Sequence, residues 1–190
     1  PPQLINQTVQ PPSGFLLVGP TGSGKTLLAR ALAGESQLPI LQTTASDLMR
    51  EPETQEPLSK NDKNRSRVHP IQTLFNAARE MAPSLVFIDE IHPLILDQGH
   101  GAKLLACMDG FEKSERHILV IGATNFGSIR SFANEAFWRP GRLEETLRMD
   151  LPDHHARRKF IQAQFPMLFP CSKSEPNADS LNDLVMRTAR

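Results

Sequence analysis

Gly19-Pro20-Thr21-Gly22-Ser23-Gly24-Lys25-Thr26 holds more chemistry in fewer residues than any other stretch of this sequence. It reads GxxxxGKT, a spacing suited to holding phosphate. Gly19, Gly22 and Gly24 allow sharp turns that bring backbone N–H groups close to phosphate oxygens. Lys25 can reach terminal phosphates, and the hydroxyl of Thr26 can serve Mg²⁺. Asp89 and Glu90 form a second concentration of chemistry. If they end a strand they point to opposite sides and can take different tasks. Asp89 would hold Mg²⁺ through water, and Glu90 would orient and polarise an attacking water. Asn125 can hydrogen-bond a phosphate and a water at once. Arg139-Pro140-Gly141-Arg142 carries two guanidinium groups, a chemistry suited to phosphate. By spacing alone, an exposed turn with two solvated arginines describes it better. His92 follows the acids closely and is read as a loop residue near the nucleotide, without a role.

Each of these groups needs an element to present it. Phe15-Leu16-Leu17-Val18 reads as a buried strand, and Leu27–Ala33 is rich in helix formers, so the glycine loop lies between strand and helix. The helix N-terminus then adds positive partial charge at the loop. Gly34 is the expected C-cap. Pro39–Thr44 reads as a strand, followed by a helical turn over Ala45–Met49. Ile71, Leu74, Phe75 and Ala78 follow the helical spacing, with Pro70 in the first turn and Pro83 as the stop. Leu85-Val86-Phe87-Ile88 is apolar throughout, as strands of parallel sheets are. It delivers Asp89 and Glu90 to the strand end where open α/β sheets bind ligands. A glycine-containing link is expected over Asp97–Gly101, then a short helix over Ala102–Met108. Ile118–Asn125 is a further strand, and Glu145–Met149 the last one. Asp153 caps a helix carrying Phe160 and Ile161; residues 166–178 read as loop, and Leu181, Leu184 and Val185 suggest one more helix.

Composition narrows the class. The chain has 190 residues, enough for one sizeable core and a small appendage. Its 21 Lys+Arg balance 21 Asp+Glu, which gives no argument for nucleic acid. Cys107 and Cys171 are far apart without metal-ligand spacing, so free thiols in a reducing compartment are expected, in the cytoplasm or an organelle interior. No apolar run reaches the length of a membrane span, and any membrane tether is expected outside this stretch. Pro1 rather than Met opens the chain, and a piece of a longer protein is expected. Residues 50–67 hold two prolines, charges of both signs and no aromatic residue, and read as an exposed loop. That loop is open to two readings, a solvated insertion or a segment that contacts substrate or partner.

PPSGFLLVGPTGSGKTLLARALAGE, APSLVFIDEI, VIGATN and WRPGR occur in the order found in the AAA+ ATPases, and the sequence resembles that family from about residue 11 onward. MDGFE and AREMAPSLVFIDEI look most like the FtsH group of AAA metalloproteases. The resemblance implies an α/β fold: a P-loop NTPase three-layer sandwich with a five-stranded parallel sheet, followed by the start of a small helical lid. It divides the chain into a nucleotide-binding part over 1–152 and a partial lid over 153–190. It implies that Gly19, Pro20, Thr21, Gly22, Ser23, Gly24, Lys25, Thr26 and Leu27 bind ATP or ADP, that Thr26 and Asp89 serve Mg²⁺, and that Glu90 and Asn125 act on the lytic water. Arg139 and Arg142 become fingers that reach the ATP of the next subunit in a ring, usually hexameric, that remodels protein substrates. Four departures stand out. No aromatic-glycine pair follows Ser46-Asp47-Leu48, where the family grips polypeptide. Thirteen residues separate Asn125 from Arg139, longer than usual, and FANEAFW replaces the familiar LDxAL. Leu143-Glu144 stands where the family has Phe-Asp. No HExxH zinc motif is present, so any protease would lie outside this stretch. A nucleotide-binding regulatory or structural subunit without polypeptide threading is the alternative expectation.

Overall fold

The computed structural model describes residues 13–50, 68–109 and 117–165. The charged stretch after Arg50, most of MDGFE, the final expected helix and Cys171 lie outside the described residues. Two compact units divide between Met149 and Asp150.

In the first unit the elements run β1 (Gly14–Val18), α1 (Lys25–Ser36), β2 (Ile40–Thr44), α2 (Ala45–Leu48), α3 (Pro70–Glu80), β3 (Ser84–Asp89), α4 (His92–Leu96), α5 (Gln98–Asp109), β4 (Ile118–Thr124), α6 (Ile129–Phe132), a 3-10 turn (Glu135–Trp138) and β5 (Glu145–Arg148). The five strands form one sheet in the order β2-β3-β4-β1-β5, every pair parallel. This is the α/β architecture expected. The second unit contributes α7 (His154–Gln164), and Asp153 caps it by accepting the Ala156 N–H at 2.7 Å.

Side-chain alternation along the strands builds two cores, one on each sheet face. Leu17, Leu85, Phe87, Ile121 and Ala123 pack with Ala29 and Ala33 of α1. Leu16, Val18, Val86, Ile88 and Val120 face the other way, onto α2, α3, α4 and α5. The sheet is therefore the middle of three layers, and its central strands are apolar because both their faces are covered. Helix α3 buries the expected stripe, with Ile71, Phe75 and Ala78 inside and Leu74 half-buried.

Three local features differ from expectation: His92, read as a loop residue, is the first residue of helix α4, where Pro93 suits the first turn, and two other helices have different ends. Helix α1 runs past Gly34 and closes at Gln37, a left-handed residue (φ 55°) whose N–H reaches the carbonyls of Ala33 and Gly34. The expected link over Asp97–Gly101 is already helix, because α5 starts at Gln98. Asp97 makes this start: its Oδ1 accepts the His100 N–H at 2.8 Å and lies 2.7 Å from His100 Nδ1. Those two hydrogen bonds, the backbone one first, hold the Asp97 carboxyl below its ordinary range. A side-chain cap thus turns a glycine-rich stretch into a first helical turn.

Burial decides which substitutions matter here. Phe75 is fully buried, whereas Met81, at the end of the same helix, is 46% exposed. Phe75→Ala is expected to remove about 3–5 kcal/mol of folding stability by leaving a cavity. Met81→Ala is expected to change it by less than about 0.5 kcal/mol. Urea unfolding followed by circular dichroism measures both.

Candidate functional site

Parallel register sets the site before any side chain is considered. Val18 pairs with Thr124, and Thr44 with Asp89, so the carboxyl ends of β1, β2, β3 and β4 finish at one edge of the sheet. A cleft of about 580 Å³ opens there. That volume is in the range of small-molecule sites. Thr21, Gly22, Gly24, Lys25, Thr26, Leu27, Thr44, Asp89, Glu90, Thr124 and Asn125 line it.

The glycine loop enters this edge under tight constraint. The Gly19 N–H donates to the Thr124 carbonyl at 3.1 Å. A β-carbon at Gly19 would stand 1.9 Å from the Met149 carbonyl oxygen, so no other residue fits. Gly24 then takes a left-handed conformation (φ 92°) as the N-cap of α1. It has no side chain to give the helix, and no acidic residue occupies the first turn. By contrast Thr44, His69 and Asp153 cap α2, α3 and α7 with their own side chains. The first turn of α1 therefore keeps its N–H groups and its positive end for an anion from outside.

Lys25 is extended along the loop. Its Nζ donates to the carbonyls of Gly19 at 2.7 Å and Pro20 at 2.8 Å, with Ser23 Oγ at 3.5 Å. Gly19, Pro20 and Ser23 are not part of the cleft lining, and they bear on it by holding this ammonium. Across the cleft, Thr26 Oγ1 donates to Asp89 Oδ2 at 3.1 Å, which brings together the two expected metal partners. The other Asp89 oxygen accepts the Glu90 N–H at 3.0 Å. Glu90 stands at φ 48°, a backbone conformation unusual for a residue with a side chain. The next N–H, of Ile91, donates to the Ala123 carbonyl at 2.9 Å and ties this turn to β4. The strain at Glu90 is thereby held between two fixed hydrogen bonds, and its carboxylate is presented at the cleft. Asn125, exposed, follows β4 on the same edge.

Arg139 and Arg142 are not part of the lining. They also differ from each other. Arg142 Nε and a terminal nitrogen donate to the two oxygens of Asp109 at 2.6 and 2.7 Å, and the other terminal nitrogen donates to the Ala136 carbonyl at 2.6 Å. Arg139 is exposed, and among the described residues nothing holds its guanidinium. Cys107 is buried and free; burial pushes its thiol up, against a smaller downward pull from Arg79. It packs as a small apolar group. Among the described residues no three His, Cys, Asp or Glu side chains gather as a metal cluster, and no helix is long and apolar enough to cross a membrane.

Thr44 and Thr124 line the cleft without having been singled out by the sequence analysis. The signal was available, since each is the last residue of a parallel strand, where ligands gather.

The comparisons with known proteins agree with this geometry. Residues 15–151 match the family described as "ATPase family associated with various cellular activities (AAA)". The human "ATPase family gene 2 protein homolog A" is 32% identical over a match that covers 99% of this chain and 20% of that protein. "ATP-dependent zinc metalloprotease FtsH 1" of Symbiobacterium thermophilum is 38% identical, covering 79% of this chain and 25% of the relative. "ATP-dependent zinc metalloprotease FTSH 10, mitochondrial" of Arabidopsis thaliana is 38% identical, covering 80% and 18%. The chain thus spans about a fifth to a quarter of the length of these relatives. A phosphate-binding loop, a Thr–Asp pair and a free carboxylate on one edge of a parallel sheet, together with the match over 15–151, show that the chain belongs to the AAA family of nucleotide-binding, ATP-hydrolysing domains, close to FtsH.

Proposed function

We propose that this domain binds Mg·ATP at the cleft, hydrolyses it within a ring of subunits, and uses the cycle to remodel protein. The 3.1 Å approach of Thr26 Oγ1 to Asp89 Oδ2 is the observation that carries the reading. A hydroxyl and a carboxylate are hard oxygen donors, the kind Mg²⁺ takes when nucleotide phosphates and waters complete its shell. Thr26 and Asp89 would hold the ion, which when bound neutralises charge on the phosphates.

The chain's own residues supply the rest. Lys25 exchanges the carbonyls of Gly19 and Pro20 for β- and γ-phosphate oxygens by a movement of its side chain. The N–H groups at the start of α1 receive the phosphates. Glu90 accepts a hydrogen bond from a water and turns its lone pair towards the γ-phosphorus. As the water oxygen bonds to phosphorus, the bond from phosphorus to the β–γ bridging oxygen breaks, and the water's proton passes to Glu90 or solvent. Asn125 donates to the γ-phosphate and accepts from the same water. Arg139 reaches a neighbouring subunit's nucleotide in this reading, which its exposure supports. Arg142 supports the turn that carries it, through Asp109 and Ala136.

A second reading keeps nucleotide binding and drops threading. It is favoured by one observation, that no aromatic-glycine pair follows Leu48. The two separate on whether unfolded protein stimulates ATP turnover of the assembled form; stimulation supports remodelling, and its absence supports a regulatory subunit.

Calorimetry tests the cleft. Lys25→Ala is expected to weaken ATP at least about tenfold, the worth of a charge-assisted hydrogen bond. Glu90→Gln is expected to keep affinity and slow turnover about 10²–10³-fold, as loss of a general base does. Unchanged binding in the lysine variant would overturn the assignment of the loop.

The two arginines are expected to separate in two measurements. Arg139→Ala lowers turnover of the assembled protein and leaves the unfolding midpoint unchanged. Arg142→Ala also lowers the midpoint, through loss of about 1 kcal/mol from a half-shielded two-pronged pair. Equal thermal behaviour of the two variants would show that the Asp109 contact is not structural.

A further inference from the structure

His92 is left without work by the reading above, yet it occupies a specific place. It opens α4, two residues after Glu90, and is half-buried. Its Nδ1 lies 3.3 Å from Thr124 Oγ1. Thr124 is 1% exposed and makes three fixed contacts at the end of β4. Its carbonyl accepts the Gly19 N–H at 3.1 Å. Its hydroxyl oxygen accepts the Phe126 N–H at 3.0 Å. The hydroxyl hydrogen is then left to donate, and Nδ1 is the acceptor beside it. Phe126 completes the arrangement, with its ring centroid 6.2 Å from that of His92 and tilted by 51°. On its other side Phe126 stacks on Phe132 at 5.7 Å.

Asn125 sits between the two residues so held. Thr124 before it and Phe126 after it are linked by a hydrogen bond that closes the turn, and that link is braced by His92. A hydroxyl buried at this depth needs partners, because an unsatisfied polar group in an apolar setting is destabilising. Thr124 finds them in the turn that carries Asn125 and in the helix start that follows Glu90. We infer that His92 and Thr124 form a positioning pair that fixes Asn125 relative to Glu90, and so tunes the hydrolytic step rather than nucleotide binding.

Both residues act through others, and neither touches the reacting atoms in this arrangement. The inference rests on the proposal that Asn125 and Glu90 act on the γ-phosphate and its water. The side-chain contacts of the pair, from Thr124 Oγ1 to His92 and to the Phe126 N–H, are made apart from Lys25 and the Thr26–Asp89 pair, which supply affinity, and a change to either side chain keeps the Thr124 carbonyl that holds Gly19. A loose Asn125 gives up one hydrogen bond to the γ-phosphate, a small part of an affinity carried by Lys25 and the Thr26–Asp89 pair, and disorders the water, so the effect falls mainly on kcat.

The test uses the complete assembled protein and steady-state hydrolysis of Mg·ATP, with binding of a non-hydrolysable ATP analogue measured beside it. His92→Leu and Thr124→Val are each expected to lower kcat about three- to tenfold, the worth of one neutral hydrogen bond made in the reactive arrangement. KM and analogue affinity should stay within about twofold. His92→Asn, which returns a hydrogen-bonding atom near the Nδ1 position, and Thr124→Ser, which returns the hydroxyl, are expected to recover kcat to within about twofold of the parent. The double variant His92→Leu/Thr124→Val should be no slower than the slower single, because the two report one contact. Additive losses, a wild-type kcat in His92→Leu, or a loss confined to KM would each overturn the pairing. A failure of the conservative variants to rescue would do the same, and they keep the test open should either apolar variant fail to fold. Glu90→Gln measured in parallel keeps the two levels apart: full turnover there would refute the site reading itself, whatever His92 does.

Discussion

The backbone of Gly19 sits where three strands end. Its N–H is held by Thr124 of β4, and its Cα lies so close to Met149 that a methyl group would collide with the carbonyl there. The Met149 N–H in turn donates to the Val18 carbonyl at 2.8 Å. The loop is therefore clamped at its entrance between the extensions of β4 and β5 before it turns. Everything at the cleft depends on that clamp. It fixes the distance from β1 to the start of α1, and so the position from which Lys25 extends and Thr26 meets Asp89. A loop free at its entrance would place those groups in an ensemble, and ordering them would fall on the nucleotide at the expense of affinity.

The empty-handed start of α1 has the same logic. Among the described residues, α2, α3, α5 and α7 meet their own N–H groups with a threonine, a histidine or an aspartate. Such a cap stabilises a helix by about 1 kcal/mol. At α1 the cap position is a glycine in a left-handed conformation, which forgoes that stabilisation. The same exchange is visible at Glu90, whose backbone occupies a strained region while hydrogen bonds on both sides hold it. Both features weaken the isolated domain locally, and the uncapped start of α1 suits a site completed by an anion.

How much of this could be read from the chain depended on the range of the interaction involved. The glycine loop, the two acids and the buried strands are legible because each is encoded within six to eight residues and rests on backbone rules. The parallel sheet follows from strands that are apolar on both faces, such as Leu85–Ile88. The start of α5 at Gln98 is not legible from helix propensity, since Gly99 and Gly101 argue against it. Asp97 overrides them through one capping interaction with His100. Thr124 is hidden for a different reason. Its importance comes from register, which places it beside Val18 and against His92, 32 residues away in sequence. No local pattern carries that distance.

Arg139 and Arg142 show the limit most plainly, because sequence treats them alike. They share a turn in which Gly141 takes φ 84° and the Arg142 N–H returns to the Arg139 carbonyl at 3.2 Å. The turn nonetheless sends one guanidinium towards Asp109 and leaves the other in solvent. Arg142 has a planar fork matched to both carboxylate oxygens and is only 15% exposed, so drawing it away would leave Ala136 and Asp109 to find water instead. Arg139 loses nothing comparable by reaching outward. A long flexible cation anchored on a braced turn can explore a neighbouring surface while its base stays fixed. The difference between the two follows from what each arginine would give up, and it is set by Asp109, at the end of a helix 30 residues before the turn begins.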